Sequence, residues 1–206
     1  MKQYHKIQTV FKRDPETRHK NLLFGEYSRP EFQYLESAVW EFTEKVDGTN
    51  IRIMLRDGEL SFGGKTDRAQ LPSPLVKFLE RHFLPQVDFF KSNFEEVCLY
   101  GEGYGAGIQK GGNYRPDQSF VLFDVKVEEL WLRREDVNDI ADELKIESVP
   151  SFGEGTLHEM VEICRKGFAS TWGEFEAEGL IARPRTELLD RLGERVITKL
   201  KCKDFR

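Results

Sequence analysis

Apolar and polar positions alternate in short runs along most of this chain, with the period of two that marks strands rather than the 3.6 of helices. Runs over roughly 40–46, 50–56, 59–63, 96–102, 120–127, 179–183 and 195–203 predict strands, each bounded by Gly, Asp or Asn. Arg56-Asp57-Gly58-Glu59 predicts a hairpin turn with Asp-Gly at its centre. Helical spacing appears between these runs. Ser73-Pro74 opens a segment with Leu75, Phe78, Leu79, His82 and Phe83 on one face. Thr156-Leu157-His158-Glu159 reads as a capping box, and the helix it starts stops near Lys166-Gly167, where glycine can take the left-handed cap. A further short helix is expected over 187–192, ending at Gly193. Strands and helices in irregular order predict an α+β fold rather than a doubly wound parallel sheet. With no repeat, low-complexity tract or Ser/Gly linker, residues 1–206 read as a single domain, with about 1–39 an N-terminal extension packed on it.

Composition narrows the class. At 39% hydrophobic the chain can bury a real core, and sixteen Phe and eight Pro favour a strand-rich domain over a helical bundle. The net charge of −5 argues against a coat or packaging protein, so any polyanion site must be a local basic groove on an acidic body. No apolar run approaches the length of a membrane span, and Met1-Lys2-Gln3-Tyr4-His5-Lys6 lacks the apolar core of a signal peptide. Cys98, Cys164 and Cys202 are odd in number and widely spaced, which predicts free thiols in a reducing cytoplasm. His5, His19, His82 and His158 show no metal spacing, and His82, beside Phe78 and Phe83, reads as a packed structural histidine.

Thr43-Glu44-Lys45-Val46-Asp47-Gly48-Thr49-Asn50 is the richest stretch for chemistry. Lys45 stands two residues before Asp47 at a strand end, and period two would put both on one face. A lysine in water has a pKa of about 10.4 and is inert at neutral pH; partial burial or neighbouring cations are needed to make it a nucleophile. Read alone, the same stretch is more often an exposed strand lysine before an Asp-Gly turn, a very common pairing. Gly63-Gly64-Lys65-Thr66 fails as a P-loop, because Glu59 stands where the first glycine is required, but a basic turn with Lys65 or Arg68 reaching a phosphate remains.

Tyr100-Gly101-Glu102-Gly103-Tyr104-Gly105 spaces glycine every second residue, which lets a ligand or another backbone approach closely, with Glu102 projecting. Phe120–Val125 reads as a buried strand on which Phe123 and Asp124 face opposite ways, Phe123 being able to stack on a base. Glu178 enters the strand Gly179-Leu180-Ile181-Ala182-Arg183. Lys199, Lys201 and Lys203 alternate with Leu200 and Cys202, so all three lysines are expected on one strand face, as a phosphate wall or as a charged edge.

In their order, these stretches resemble the RNA ligase branch of the covalent nucleotidyltransferases, over about Trp40 to Lys203. Thr43–Asn50 matches the nucleotidyl-lysine motif with its Thr-Asn. Lys65-Thr66 sits where the family commonly has arginine. Gly101-Glu102-Gly103 matches the motif whose Glu contacts ribose, Phe123-Asp124 the aromatic that stacks on adenine, and Glu178-Gly179-Leu180-Ile181 the motif whose Glu serves metal and catalysis. Lys199-Leu200-Lys201 matches the motif whose lysines hold the nucleotide phosphate, with Lys201-Cys202-Lys203 as an alternative register. The resemblance implies an adenylylation domain of antiparallel sheets and flanking helices around a nucleotide groove. It makes Lys45, Glu178, Lys199 and Lys201 catalytic, and Glu44, Asp47, Asn50, Lys65, Glu102 and Phe123 cofactor-binding; it names no metal ligand set for this chain.

It also implies ATP with Mg²⁺ or Mn²⁺ as cofactors, and nucleic acid as partner: RNA ends or a nicked duplex, met by a monomer. Lys45 attacks the α-phosphorus of ATP and releases pyrophosphate, AMP passes to a 5′-phosphate, and a 3′-hydroxyl displaces it. The chain ends at Arg206, directly after the last motif, so a stand-alone domain without an appended OB or helical domain is expected, with self-adenylylation a firmer expectation than end-joining. Two alternatives stand beside this one. A guanylyltransferase or DNA nick sealer would take GTP or duplex DNA, and a non-catalytic nucleotide or nucleic-acid binding module would bind ATP without a covalent product.

Overall fold

The computed structural model describes residues 3–206; Met1 and Lys2, the first two of the N-terminal run read for a targeting signal, lie outside the described residues. In chain order the strands are β1 (Gln8–Thr9), β2 (Phe11–Arg13), β3 (Leu22–Tyr27), β4 (Trp40–Glu44), β5 (Thr49–Arg56), β6 (Glu59–Gly64), β7 (Val97–Gly105), β8 (Gln118–Val127), β9 (Leu130–Trp131), β10 (Glu147–Ser148), β11 (Ser151–Gly155), β12 (Gly179–Pro184) and β13 (Thr198–Lys201). The α-helices are α1 (Pro30–Tyr34), α2 (Ser73–Phe83), α3 (Val87–Asn93), α4 (Arg134–Glu143) and α5 (Leu157–Lys166). Largely antiparallel sheets with interspersed helices make this the expected α+β fold. Among the described residues, no helix is long and apolar enough to cross a membrane.

Contacts gather the chain into two compact units. The first combines the described residues up to His5 with Asp47–Val149. Its sheet runs β10-β8-β7-β5-β6, with β9 on β8 and only β10 parallel to its neighbour. Ile51, Ile53 and Leu55 alternate inward from β5 and meet Leu75, Leu79 and Phe83 of α2 and Val137 and Ala141 of α4 in one core. Asp57 and Gly58 take positive φ (51 and 73°) and close the β5–β6 hairpin as the Asp-Gly pair predicts. His82 stacks on Phe78 at 5.5 Å and its Nε2 lies 2.9 Å from the Leu144 carbonyl, the structural role expected of it.

The second unit is Lys6–Val46 with Pro150–Arg206. Its sheet runs β1-β13-β12-β4-β11, β1 parallel to β13 and the rest antiparallel, beside the β2–β3 hairpin. Trp40 and Phe42 of β4, Leu180 and Ala182 of β12 and Leu200 of β13 pack against Leu157, Met160, Val161 and Cys164 of α5. Helix α5 starts as the capping box requires: Glu159 N–H donates to Thr156 Oγ1 at 3.2 Å and Thr156 N–H to Glu159 Oε2 at 2.7 Å. It ends at Gly167 with φ of 75°.

Three expectations are corrected. Residues 187–192 form no helix: Asp190 Oδ1 accepts the N–H groups of Leu192 and Glu194, and this side-chain cap holds a loop closed by a Leu189–Arg195 bridge. The last strand stops at Lys201, and Cys202–Phe205 is a 3₁₀ turn, so Lys203 leaves the strand face shared by Lys199 and Lys201. Phe123 and Asp124 do not alternate. Tyr100 pairs with Asp124 while Gly101 pairs with Leu122, so Phe123 is the extra residue of a bulge. The inward positions Phe120, Leu122 and Val125 step by two and then by three, which turns both Phe123 and Asp124 away from the core they line.

Candidate active site

Period two along β4 sends Trp40, Phe42 and Glu44 to the same, inward face. A carboxylate there must be satisfied or it costs several kcal/mol, roughly. Glu44, 1% exposed, accepts from Ser170 Oγ at 2.6 Å, and from the Thr171 N–H and hydroxyl at 2.9 and 2.8 Å. Its carboxylate is therefore committed to the loop between α5 and β12. What it fixes is the end of β4, one residue before Lys45.

Lys45 lies just past that strand end, outside any strand, with its N–H donating to the Gly179 carbonyl at 2.9 Å. Strand alternation thus stops before Lys45, and the same-face argument linking it to Asp47 does not operate. What surrounds the amine is more specific. Lys45 Nζ donates to Glu178 Oε2 at 2.5 Å, and Lys201 Nζ pairs with Glu178 Oε1 at 2.5 Å. One carboxylate holds two ammonium groups. All three side chains are largely shielded, at 19, 10 and 22% exposure for Lys45, Glu178 and Lys201.

Burial pushes the Glu178 carboxyl up, but the charges of Lys45 and Lys201 and the hydrogen bonds they donate outweigh it, and the net shift is downward. The backbone explains the meeting: Gly179 pairs with Lys201 across β12–β13, and Cys202 N–H donates to the Glu178 carbonyl at 2.9 Å. Lys199, two residues earlier on the same outward face, pairs with Ile181, while Thr198 and Leu200 point inward at 0% exposure. Lys199 and Lys201 thus share the outward face of β13.

The first unit holds the other expected residues. Asp47 N–H donates to the Tyr114 hydroxyl at 3.1 Å, and Gly48 lies so close to β7 that a Cβ there would stand 2.3 Å from the Gly103 carbonyl oxygen and 2.7 Å from Glu102 Cγ. Position 48 must be glycine because no side chain fits there. Asn50 pairs with Glu102 across β5–β7, and its Oδ1 is buried with no hydrogen-bond partner. Two acceptors side by side, one of them unsatisfied, suit a ligand rich in donors such as a ribose. Lys65 is exposed in the turn after β6. That turn is clamped by Arg52, 1% exposed, whose Nε donates to the Gly64 carbonyl at 2.9 Å and whose Nη2 meets Asp67 Oδ1 at 2.6 Å. The Arg52 hydrogen bond and charge hold the Asp67 carboxyl below its usual range.

The structure thus brings together Lys45, Glu178 and Lys201 in one unit, and Gly48, Asn50 and Glu102 in the other. Ser170, Thr171, Arg52 and Tyr114 were missed by sequence reasoning; each reaches its partner from a sequence-distant segment or a buried strand position, and none has a local signal. Among the described residues, no group of three or more His, Cys, Asp or Glu is placed to hold a metal ion.

The RNA ligase family model matches residues 38–201. Solved structures of RNA ligase from Naegleria gruberi share the fold. An arginine-to-alanine mutant with ATP and Mn superposes with a TM-score of 0.71 at 16% identity, covering 98% of this chain and 56% of that one. The same ligase with pyrophosphate gives 0.67 at 16% identity, covering 97% and 57%. An aspartate-to-alanine mutant without ligand gives 0.67 at 16%, again covering 97% and 57%. This chain therefore spans just over half the length of these ligases. A search of the curated proteins returns no match. With the family model spanning four fifths of the sequence, from Ala38 past Lys45 and Glu178 to Lys201, the chain belongs to the RNA ligase family.

Proposed function

We propose that this protein is an ATP-dependent RNA ligase that works through a lysyl-AMP intermediate on Lys45. The observation that carries the reading is Glu178 bridging the Lys45 and Lys201 ammonium groups at 2.5 Å each. A nucleophilic lysine needs to be held in place beside a cation that draws in phosphate, and this cluster does both: Glu178 holds Lys45, and Lys201 is the neighbouring cation. Lys45 Nζ loses its proton to solvent and, as the neutral amine, attacks the α-phosphorus of ATP. A phosphorus–nitrogen bond forms, the bond to the bridging oxygen of the β-phosphate breaks, and pyrophosphate leaves. Lys199 and Lys201 neutralise charge on the phosphate oxygens. Phosphoryl transfer asks mainly for such positioning and charge neutralisation.

Asp47, Asn50, Lys65, Glu102 and Phe123 take their ligand roles from the family resemblance. The unsatisfied Asn50 Oδ1 beside Glu102 supports a contact with ribose hydroxyls. A divalent ion, Mg²⁺ or Mn²⁺, neutralises phosphate charge when bound. Glu178 is the hard oxygen donor available to it in the Lys45 cluster, so phosphate and water oxygens would complete the shell. Relatives were solved with ATP and Mn, which supports that pairing. AMP then passes to a 5′-phosphate, and a 3′-hydroxyl displaces it to seal RNA ends, an activity suited to RNA repair. The three buried free cysteines fit a reducing cytoplasm.

Incubation with α-labelled ATP and Mg²⁺ or Mn²⁺ is expected to label the protein and raise its mass by one AMP, and Lys45→Ala to abolish both. A protein that stays unlabelled with every nucleotide and either metal overturns the reading. Labelling by GTP alone selects guanylyl transfer, and sealing of nicked DNA but not RNA selects a DNA ligase.

A further inference from the structure

The bulge at Phe123 leaves two side chains on the sheet face away from the core: Phe123 itself, half-buried, and Asp124, fully buried. A bulge of this kind re-aims a side chain, and something must hold it, because the local ladder is interrupted there. The holder comes from more than a hundred residues away. Tyr4, 8% exposed and outside any strand, donates its hydroxyl to Asp124 Oδ2 at 2.5 Å. Its ring meets Phe123 at 5.0 Å and 75°, Trp131 at 5.6 Å and 81°, and Tyr100 at 5.2 Å and 56°. The near-perpendicular contact with Phe123 is one of the preferred aromatic geometries, and it fixes the plane of the Phe123 ring. The hydrogen bond to a buried carboxylate anchors the phenol that makes that contact. The chain on either side explains why Tyr4 belongs here: the described residues up to His5 pack with Asp47–Val149, whereas Lys6 onward packs in the other unit.

We propose that Tyr4 is a positioning residue for base recognition: the N-terminal segment locks the Phe123 bulge through Asp124 and sets the Phe123 ring to stack on adenine. The inference rests on the proposed function, in which Phe123 meets the base. Tyr4 touches no reacting atom in it and acts through Phe123.

The test uses the full chain and measures formation of lysyl-AMP against ATP concentration. Tyr4→Phe keeps the ring and removes the hydroxyl. It is expected to raise the ATP concentration for half-maximal labelling roughly three- to tenfold, with the maximal rate within about twofold, since the contact serves binding and chemistry alike. Tyr4→Ala is expected to raise it further. Competition by inorganic tripolyphosphate, which has no base, is expected to be unchanged in both variants; a general loss of site structure would weaken it as well. The inference is overturned if Tyr4→Phe and Tyr4→Ala both keep the wild-type half-saturation, or if tripolyphosphate binding falls in step with ATP. Where Tyr4→Ala melts too early to assay, Tyr4→Phe decides. Phe123→Ala separates the two readings. If it too leaves half-saturation unchanged, the base contact in the proposed function fails; if it raises half-saturation while the Tyr4 variants do not, only the role of Tyr4 fails.

Discussion

Glu178 ties the Lys45 and Lys201 ammonium groups together, its two oxygens shared between them. That sharing has a pH signature. The folded-state pKa of Glu178 lies below the ordinary carboxylate value of 4.5, even though burial alone would raise it. A depressed carboxylate contributes stability that is fully present above its unfolded value and is lost as pH falls through the folded one. The difference in melting temperature between the wild type and Glu178→Gln is therefore expected to be constant near neutrality and to shift against the wild type on acidification below that ordinary value. A difference that stays flat to strongly acid pH would mean that the carboxylate is not held by the two lysines. The same residue shows the gap between motif and mechanism. Lys45 is recognisable from its neighbours in sequence, but its resting partner is a carboxylate that favours the ammonium, not the desolvated site that the lone motif suggests.

At the scale of elements, β7 and β8 are joined by a close approach rather than by side-chain packing alone. A Cβ on Gly101 would stand 2.2 Å from the Phe120 ring and 2.3 Å from the Val121 carbonyl oxygen. Backbone cannot move out of the way as a flexible side chain can, so Gly101→Ala is expected to cost about 3 kcal/mol, at the upper end for overpacking. Urea denaturation checks this, and a cost under about 0.5 kcal/mol, the level of a neutral surface change, would show that the strands can separate without penalty. The glycine spacing in 101–105 was legible as a close approach; that the approaching groups belong to the neighbouring strand, with the bulge beside it, was not. The loop after β12 teaches the converse. A short helical pattern lost to Asp190, whose carboxylate offers the backbone N–H groups a local alternative.

For the whole molecule, the useful fact is that each unit buries its own hydrophobic cluster. Phe83, 0% exposed, sits in the cluster of the first unit among Leu75, Leu79, Phe90 and Phe120. Phe83→Ala is expected to cost about 3–5 kcal/mol, the range for a buried aromatic that leaves a cavity. Hydrogen exchange should register the loss in the amides of β5, β7 and β8, the strands this core supports. Unchanged protection in those strands would mean that the helix α2 side of the core bears none of their stability.

Local pattern determined much of this protein. Alternation marked most of the strands, Ser73-Pro74 and the Thr156–Glu159 box marked α2 and α5, and the motifs in their order pointed to the RNA ligase family. These features depend on neighbours a few residues apart, which sequence displays directly. Tertiary structure decided which lysine shares Glu178, that Glu44 faces Ser170 and Thr171, that Phe123 and Asp124 share a face, and that Tyr4 holds Asp124. Each of these depends on register or on contacts across 23 to 127 residues, such as Glu178 with Lys201 or Glu44 with Thr171. A one-residue bulge reverses which side a side chain takes, and nothing in the run Phe120–Val125 itself records it.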